Sequence, residues 1–190
     1  MNKSLIWAAC LTLIVLLANG CGPKKGHTVA ERRAAVQEME AATLERLYQE
    51  APETKQMIKN AVGYGVFSNA NINLIFASAG GGYGVVVDNQ TGHRTYMKMA
   101  LGGIGLGVGV KDYRVVMIFK NKATMTQFVE KGWDFGAHAD AAATTGDQGA
   151  EASTEGDLNT NIDVYSMTEA GLALQATVAG TKYWKDKSLN

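Results

Sequence analysis

The sequence has few of the residues that build catalytic and metal centres. Its 190 residues include two cysteines and three histidines. It contains neither the G-x-S-x-G motif of serine hydrolases nor a G-K-S or G-K-T phosphate loop. His138 and Asp140, with Asp134 nearby, form an H-x-D grouping that lacks a second His or a Cys ligand. We therefore expect no enzyme activity, no cofactor and no metal site.

An excess of one charge is also missing. The chain has 18 basic and 18 acidic residues and a formal net charge of 0, so it offers no general positive field and nucleic acid is not a predicted partner. Four basic residues nevertheless stand close together near the N-terminus: Lys24, Lys25, Arg32 and Arg33. This placement suits an anionic membrane surface, although it is also typical of ordinary solvated charges.

The N-terminus has the layout of an export signal. Lys3 precedes an uncharged run from Leu5 to Ala18, which is shorter than the roughly 20 apolar residues of a spanning helix. Gly20 followed by Cys21 resembles a bacterial lipoprotein cleavage site, at which the cysteine is acylated. The small residues before Cys21 also fit ordinary signal cleavage, which would leave a free thiol. We predict a signal peptide (1–20), a tether lipidated at Cys21 (21–27) and one domain (28–190).

The domain opens with a predicted amphipathic helix that ends near Glu50. Thr28 and Glu31 have the spacing of a capping box. One helical face carries the apolar positions, and glutamates occupy the opposite face; the predicted inner face is Val29, Val36, Met39, Thr43 and Leu47. Pro52 interrupts the pattern, and a short second helix is expected through Met57 and Ile58.

From residue 61 the pattern is that of strands joined by short turns. Asn69–Asn71 and Asp88–Gly92 have the composition of turns, and Lys122–Lys131 has the pattern of a helix. The acidic stretch 139–160 is expected to be a loop, and Tyr183-Trp184 to end the ordered part. We predict an α+β fold, in which a mainly antiparallel, curved, glycine-rich sheet or half-barrel packs with the N-terminal and mid-chain helices.

The stretch GGIGLGVGV, residues 102–110, places glycine at every second position: Gly103, Gly105, Gly107 and Gly109. No register of this stretch gives the G-x-G-x-x-G spacing of a dinucleotide site. It is too short for a membrane helix. We predict one strand with a face bare of side chains, against which a backbone, a helix or an acyl chain can lie closely.

Five motifs in order resemble the SYLF lipid-binding domain family: NAVGYGVFS, ASAGGGYGVVV, TGHRTYMKMALGGIGLGVGV, YRVVMIF and DVYSMTEAGLALQATVAGT. The resemblance covers about residues 28–185. Eukaryotic members bind phosphoinositide membranes, and some bundle actin filaments. The resemblance implies that the N-terminal helix contacts lipid, through Arg32 and Arg33 as basic residues and Val36 and Met39 as apolar ones. Because this chain has a signal and no partner domain, actin is not an expected partner.

Two functions follow as hypotheses. The first is a non-enzymatic envelope lipoprotein, anchored in the outer membrane and facing the periplasm, whose domain binds phospholipid. Its expected lipid contacts are Lys24, Lys25, Arg32, Arg33, Val36 and Met39. The second is a structural or protein-interaction module of the periplasm that binds an envelope protein and touches lipid only through its acyl anchor.

Overall fold

The computed structural model describes residues 28–74, 77–103, 109–134, 161–168, 171–175 and 181–190. The described helices are α1 (Val29–Glu50), α2 (Thr54–Asn60) and α3 (Lys122–Lys131). The described strands are β1 (Gly63–Leu74), β2 (Ala77–Asp88), β3 (Arg94–Gly103), β4 (Gly109–Phe119), β5 (Trp133–Asp134), β6 (Ile162–Thr168), β7 (Gly171–Gln175) and β8 (Thr181–Lys185).

The eight strands form one sheet in the order β5-β8-β3-β2-β1-β4-β6-β7, and every neighbouring pair is antiparallel. Because alternate residues of a strand point to opposite faces, Val66 and Phe67 enter two different hydrophobic clusters. We call the sheet surface around Phe67 the α3 face and the surface around Val66 the α1 face, after the helix that packs on each. The predicted α+β class with a mainly antiparallel sheet is confirmed.

Helix α1 begins and ends where the sequence predicts. The Thr28 side chain accepts from the N–H of Glu31, and the Glu31 side chain accepts from the N–H of Thr28, so the capping box satisfies two otherwise unpaired donors. Four of the five predicted inner residues are buried; Val29 is instead 41% exposed. The α1 face is mostly aliphatic and includes Val36, Leu47, Val66, Val85, Val116, Ile118 and Met167.

Helix α3 spans the residues for which the sequence predicts a helix, and it packs on the other face of the sheet. Asn121 caps it by accepting from the N–H of Thr124, and Met125 and Phe128 are buried. The α3 face is built around aromatic rings: Phe128 lies 5.3 Å from both Phe119 and Tyr183, centroid to centroid, and Phe67 lies 4.8 Å from Tyr183. These separations are those of edge-on and tilted aromatic packing.

The turn predicted at Asn69–Asn71 is wrong. Strand β1 runs unbroken through these residues, which pair with Gly80–Gly82 of β2. Asn69 is buried, and the side chain that suggested a turn is accommodated inside the sheet opposite a glycine. The hairpin loop predicted at Asp88–Gly92 is confirmed, and Gly92 has the positive φ, 71°, that such a loop favours.

The single glycine-faced strand predicted over residues 102–110 is also wrong. Gly103 ends β3 and Gly109 begins β4, and β2 and β1 lie between these strands. The two glycines therefore stand three strand spacings apart, about 14 Å. Gly105 and Gly107 lie outside the described residues.

Close approach does occur, but in β2. A Cβ on Gly84 would collide with the Phe67 ring and the Val66 carbonyl oxygen, and one on Gly82 would collide with the Ser68 carbonyl oxygen. Glycine in β2 thus makes room for Phe67 on the α3 face. By contrast, Gly102 has nothing within 4 Å of its Cβ position.

The chain remains ordered beyond Trp184, contrary to the prediction. Residues 186–190 fold back toward α1, and the Leu189 side chain is buried in the cluster on the α1 face. The sequence offered one apolar residue among polar ones here, which is too short a pattern to predict a core position. The acidic stretch 139–160 lies outside the described residues.

Candidate functional site

The predicted lipid contacts on α1 separate into two groups. Val36 and Met39 are buried against the sheet, so they pack in the protein's own core and face no external surface in this conformation. Their amphipathic spacing is explained by packing on β1 and β2. Arg32 and Arg33 remain partly exposed at the start of the helix. Lys24, Lys25 and the predicted lipidation site Cys21 lie outside the described residues.

Arg33 joins α1 to the C-terminal residues. Its Nε donates to the Leu189 carbonyl oxygen at 2.7 Å, and its guanidinium carbon lies 5.5 Å from the centre of the Tyr96 ring. The second contact has the geometry of a cation–π interaction. Arg32 makes a weaker contact, because its Nη1 stands 3.4 Å from Ser188 Oγ. Both arginines therefore have structural contacts in addition to any role at a membrane.

Asn190 holds the tail on the edge of β3. Its side-chain amide donates to the carbonyl oxygen of Tyr96 at 2.7 Å and accepts from the Tyr96 N–H at 3.0 Å. These are the two hydrogen bonds that a neighbouring strand residue would make. The N–H of Asp186 also donates to Tyr96, and the Asp186 carboxylate stands 3.6 Å from the Lys98 ammonium.

A second polar group lies between α1 and the sheet. Glu40 is only 4% exposed, although it belongs to a helix whose other glutamates face solvent. Its carboxylate accepts from the Tyr64 hydroxyl at 2.7 Å and from Nη1 of Arg94. Burial and the hydrogen bond to Glu40 raise the pKa of Tyr64 well above its usual range, so the phenol remains a donor. A buried carboxylate needs such partners, because an unpaired one would be strongly destabilising.

A cavity of about 420 Å³ opens beside these contacts. It lies between the start of α1, the β2–β3 hairpin and the C-terminal tail, and its lining includes Arg33, Arg94 and Lys185. The Lys185 ammonium itself pairs with Glu130 of α3, on the other face of the sheet. The other lining residues are Gly92, His93, Thr95, Tyr96, Leu189 and Asn190. In the described part of the chain, no aspartate or glutamate lines it.

Sequence reasoning missed most of this site. Arg33 was a candidate residue, but Arg94 lies 61 positions later in a strand and Lys185 is at the end of another. Glu40 carried one detectable signal, since it is one of two glutamates flanking Met39 and so lies near the apolar stripe of α1. Its partners in β1 and β3 could not be inferred without knowing the strand order.

The chain is similar to known proteins over most of its length. Residues 100–190 match the family described as Ysc84, Las17-binding protein actin regulator. The chain carries a SYLF-family domain. Beta cell expansion factor A of Aeromonas veronii is 36% identical to this chain over 162 residues, which are 85% of this chain. The match covers 60% of that relative, so this chain spans less than two thirds of the relative's length. SYLF membership supports a module that binds lipid or another interaction partner.

Two further observations concern only the described part of the chain. None of its helices combines the length and apolar character needed to cross a membrane. Its His, Cys, Asp and Glu residues do not form a group of three or more that could hold a metal ion. Asp134 lies in β5, whereas His138 and Asp140 lie outside the described residues.

Proposed function

We propose that this protein is a non-enzymatic envelope lipoprotein whose SYLF-family domain binds phospholipid through the basic end of α1. The acylated Cys21 would fix the chain to the outer membrane on its periplasmic side. The domain would then add a second contact, with the lipid headgroups.

The observation that carries this proposal is the placement of Arg32 and Arg33 in the first turns of α1. Seven residues, 22–28, separate Cys21 from the helix and can extend at most about 25 Å. Acylation at Cys21 would therefore keep this end of the domain close to the headgroups. Basic residues near an anionic surface contribute about 1 kcal/mol each.

The burial of Val36 and Met39 defines the kind of lipid contact to expect. Since both side chains are in the core, the domain as folded offers charges and no apolar stripe from this part of α1. The contact should then be electrostatic, should require anionic lipid, and should weaken as salt shortens the Debye length from about 10 Å at 0.1 M to about 3 Å at 1 M.

Vesicle flotation tests this proposal. Residues 22–190 contain every described helix and strand and both hydrophobic clusters, but lack the signal and the acylated cysteine. We expect this chain to float with anionic vesicles at low salt. With neutral vesicles, or at high salt, it should remain at the bottom of the gradient. The double variant Arg32→Glu and Arg33→Glu should lose flotation.

The controls separate charge from folding. Arg33 also fastens the C-terminal tail, so each variant needs a thermal melt by circular dichroism at the same salt. Arg46→Gln is a matched control, because Arg46 lies on the same helix and pairs with Glu50 four residues later. Failure of the unmodified chain to float with any vesicle would refute lipid binding by the domain.

The second candidate is a protein-interaction module that touches lipid only through its anchor. The burial of Val36 and Met39 favours it, because the residues that the family resemblance assigns to lipid are occupied in packing. It predicts that residues 22–190 co-purify with an envelope protein in the absence of lipid and remain unbound in every flotation gradient.

A further inference from the structure

We propose that the cavity between Arg33, Arg94 and the β2–β3 hairpin binds a phosphate group, either in a phospholipid headgroup or in a soluble phosphate ester. The inference rests on the proposed function, since it assigns a discrete site and a chemical class to the domain's lipid contact. It differs from general attraction to a charged surface, which needs no cavity.

The charges around the cavity favour an anion. Arg94 is paired with Glu40 beneath it, yet its side chain keeps 36% of its surface exposed. Lys185 adds no cation to this site, because its side chain lies on the α3 face and pairs there with Glu130 at 3.0 Å. Within the described residues, no ion pair gives Arg33 a carboxylate partner; its contacts are a carbonyl oxygen and an aromatic ring. A positive charge therefore remains at the wall that Arg33 provides.

The two arginines favour phosphate among anions. A guanidinium presents several N–H donors in a plane and bonds two oxygens of one phosphate at once. Arg94 uses Nη1 for Glu40, and Arg33 uses Nε for Leu189, so both have further donors to offer. Arginines entering from α1 and from β3 could contact one phosphate from two sides.

The main chain adds a donor at the same place. Strand β8 pairs with β3 only as far as Met97 opposite Lys185. The Tyr96 N–H points to the β8 side, where it meets Asn190. Residues two apart in a strand present their N–H groups to the same edge, so the Arg94 N–H also points to this side, beyond the last β8 residue. It is placed to donate to an anion in the cavity.

The size and the entrance also fit. A volume of about 420 Å³ lies within the range of small-molecule sites and exceeds what one phosphate needs, so an attached glycerol or similar group can enter. Gly92 lines the cavity, and none of the described residues has an atom within 4 Å of its Cβ position. A ligand carried on a larger surface could therefore reach the site from that side.

Titration followed by nuclear magnetic resonance tests the site directly. Inorganic phosphate and glycerol 3-phosphate are added to ¹⁵N-labelled residues 22–190, with sodium chloride at matched ionic strength as the reference. We expect saturable shifts of the amide signals of Gly92, Arg94, Tyr96 and Asn190. Arg33→Gln should weaken binding at least about tenfold, as for loss of a charge-assisted hydrogen bond.

Matched variants keep folding apart from binding. Arg94→Gln combined with Glu40→Gln removes the cation without leaving a buried carboxylate unpaired, and it should also weaken binding at least about tenfold. Arg46→Gln, at the far end of α1, should bind phosphate like the unmodified chain. Equal weakening in the Arg46→Gln variant would refute a localised site.

The vesicle experiment distinguishes the two possible sources of the phosphate. If phosphate shifts the cavity signals and Arg33→Gln also reduces flotation, the site is supported as a headgroup site. If phosphate binds but flotation is unaffected by the variants, the site is supported as one for soluble phosphate esters. If flotation persists while neither ligand shifts these signals at millimolar concentration, the cavity proposal is overturned and lipid binding stands. If the cavity signals do not shift and the chain does not float with any vesicle, both the cavity proposal and lipid binding by the domain are overturned.

Discussion

The two faces of the sheet are held to their helices in different ways. On the α3 face, Phe128 inserts among Phe67, Phe119 and Tyr183, and the helix is held by packing between aromatic rings. On the α1 face, aliphatic packing is supplemented by Glu40 and by the tail, which hydrogen-bond α1 to particular residues of the sheet. Apolar burial supplies most of the free energy of folding, whereas polar contacts depend strongly on geometry and specify one position. The α1 face is therefore the more sensitive to charge, and it is the face that borders the cavity.

The largest expected effect on stability comes from removing an aromatic ring from the α3 face. Phe128→Ala should lower the free energy of unfolding by about 3–5 kcal/mol, because a buried ring with three aromatic neighbours leaves a cavity. Urea unfolding measures it. Thr126→Ala, at an exposed position of the same helix, should change stability by less than about 0.5 kcal/mol. A comparable loss in both variants would contradict the importance of the aromatic cluster.

Gly84→Ala should cause the next largest loss of stability. The added methyl group collides with the Phe67 ring and a carbonyl of β1, and overpacking of this kind costs about 1–3 kcal/mol. Gly102→Ala is the matched control in the neighbouring strand, because its Cβ would meet nothing within 4 Å. Equal melting temperatures for the two variants would mean that β2 can move away from Phe67 at little cost.

On the α1 face, Glu40→Gln should lower the free energy of unfolding by about 2 kcal/mol, since it leaves Arg94 without its carboxylate. That figure is below the range for fully buried pairs because Arg94 is partly exposed. A double-mutant cycle with Arg94→Gln measures the coupling by urea unfolding. We expect the double variant to lose less than the sum of the single losses. Strict additivity would show that the pair does not hold the helix.

Removing the tail contact should have a smaller effect. Asn190→Ala deletes the hydrogen bonds to both main-chain groups of Tyr96 and should cost about 1 kcal/mol. Hydrogen exchange should show faster opening of the first turns of α1, whose Arg33 depends on the tail. Lys187→Ala, at an exposed tail position, should leave exchange unchanged. Faster exchange spread evenly over the sheet would argue against a local role.

The smallest effect belongs to the exposed ion pair on the α3 side. Hydrogen bonds lower the pKa of Asp88 from 3.8 to about 2, with the largest contribution from Lys122 and smaller ones from Gln90 and Thr91. A lowered carboxyl pKa adds stability that is complete above pH 3.8 and disappears as the pH falls through about 2. Lys122→Gln should therefore cost less than about 1 kcal/mol at pH 7, and the melting temperatures of the two chains should converge only as the pH falls well below 2. A difference between them that stays constant from pH 7 to below pH 2 would contradict an electrostatic origin.

The sequence predicted those features that depend on nearby residues. The capping box of Thr28 and Glu31, the helix over Lys122–Lys131 and the Asp88–Gly92 loop all arise from contacts a few residues apart, and all are confirmed. The glycine alternation misled because period two indicates a strand but does not show where one strand ends and another begins. Asn69–Asn71 misled because turn composition was overridden by pairing with a glycine-rich neighbour.

The candidate site could be predicted only in part. Arg33 was identified from its position near the tether, but the cavity needs Arg94 and the tail, which reach it through the strand order. The family resemblance likewise identified the domain, whereas the burial of Val36 and Met39 needed the packing of α1 on the sheet. Local sequence patterns thus identified Arg33, whereas Arg94 and the tail could be placed at the site only from the pairing of the strands.

The contact between Arg33 and Leu189 spans 156 positions of the chain. Helix α1 is the first described element to be synthesised, yet its fastening waits for residues near position 190. Until they arrive, the start of the helix relies on its own capping box, and closing so long a loop is among the slower steps available to a folding chain. The basic end of α1 should consequently be the last part of the domain to reach its folded position. A chain that ends a few residues before position 190 should contain every described strand but lack the contact between Arg33 and Leu189.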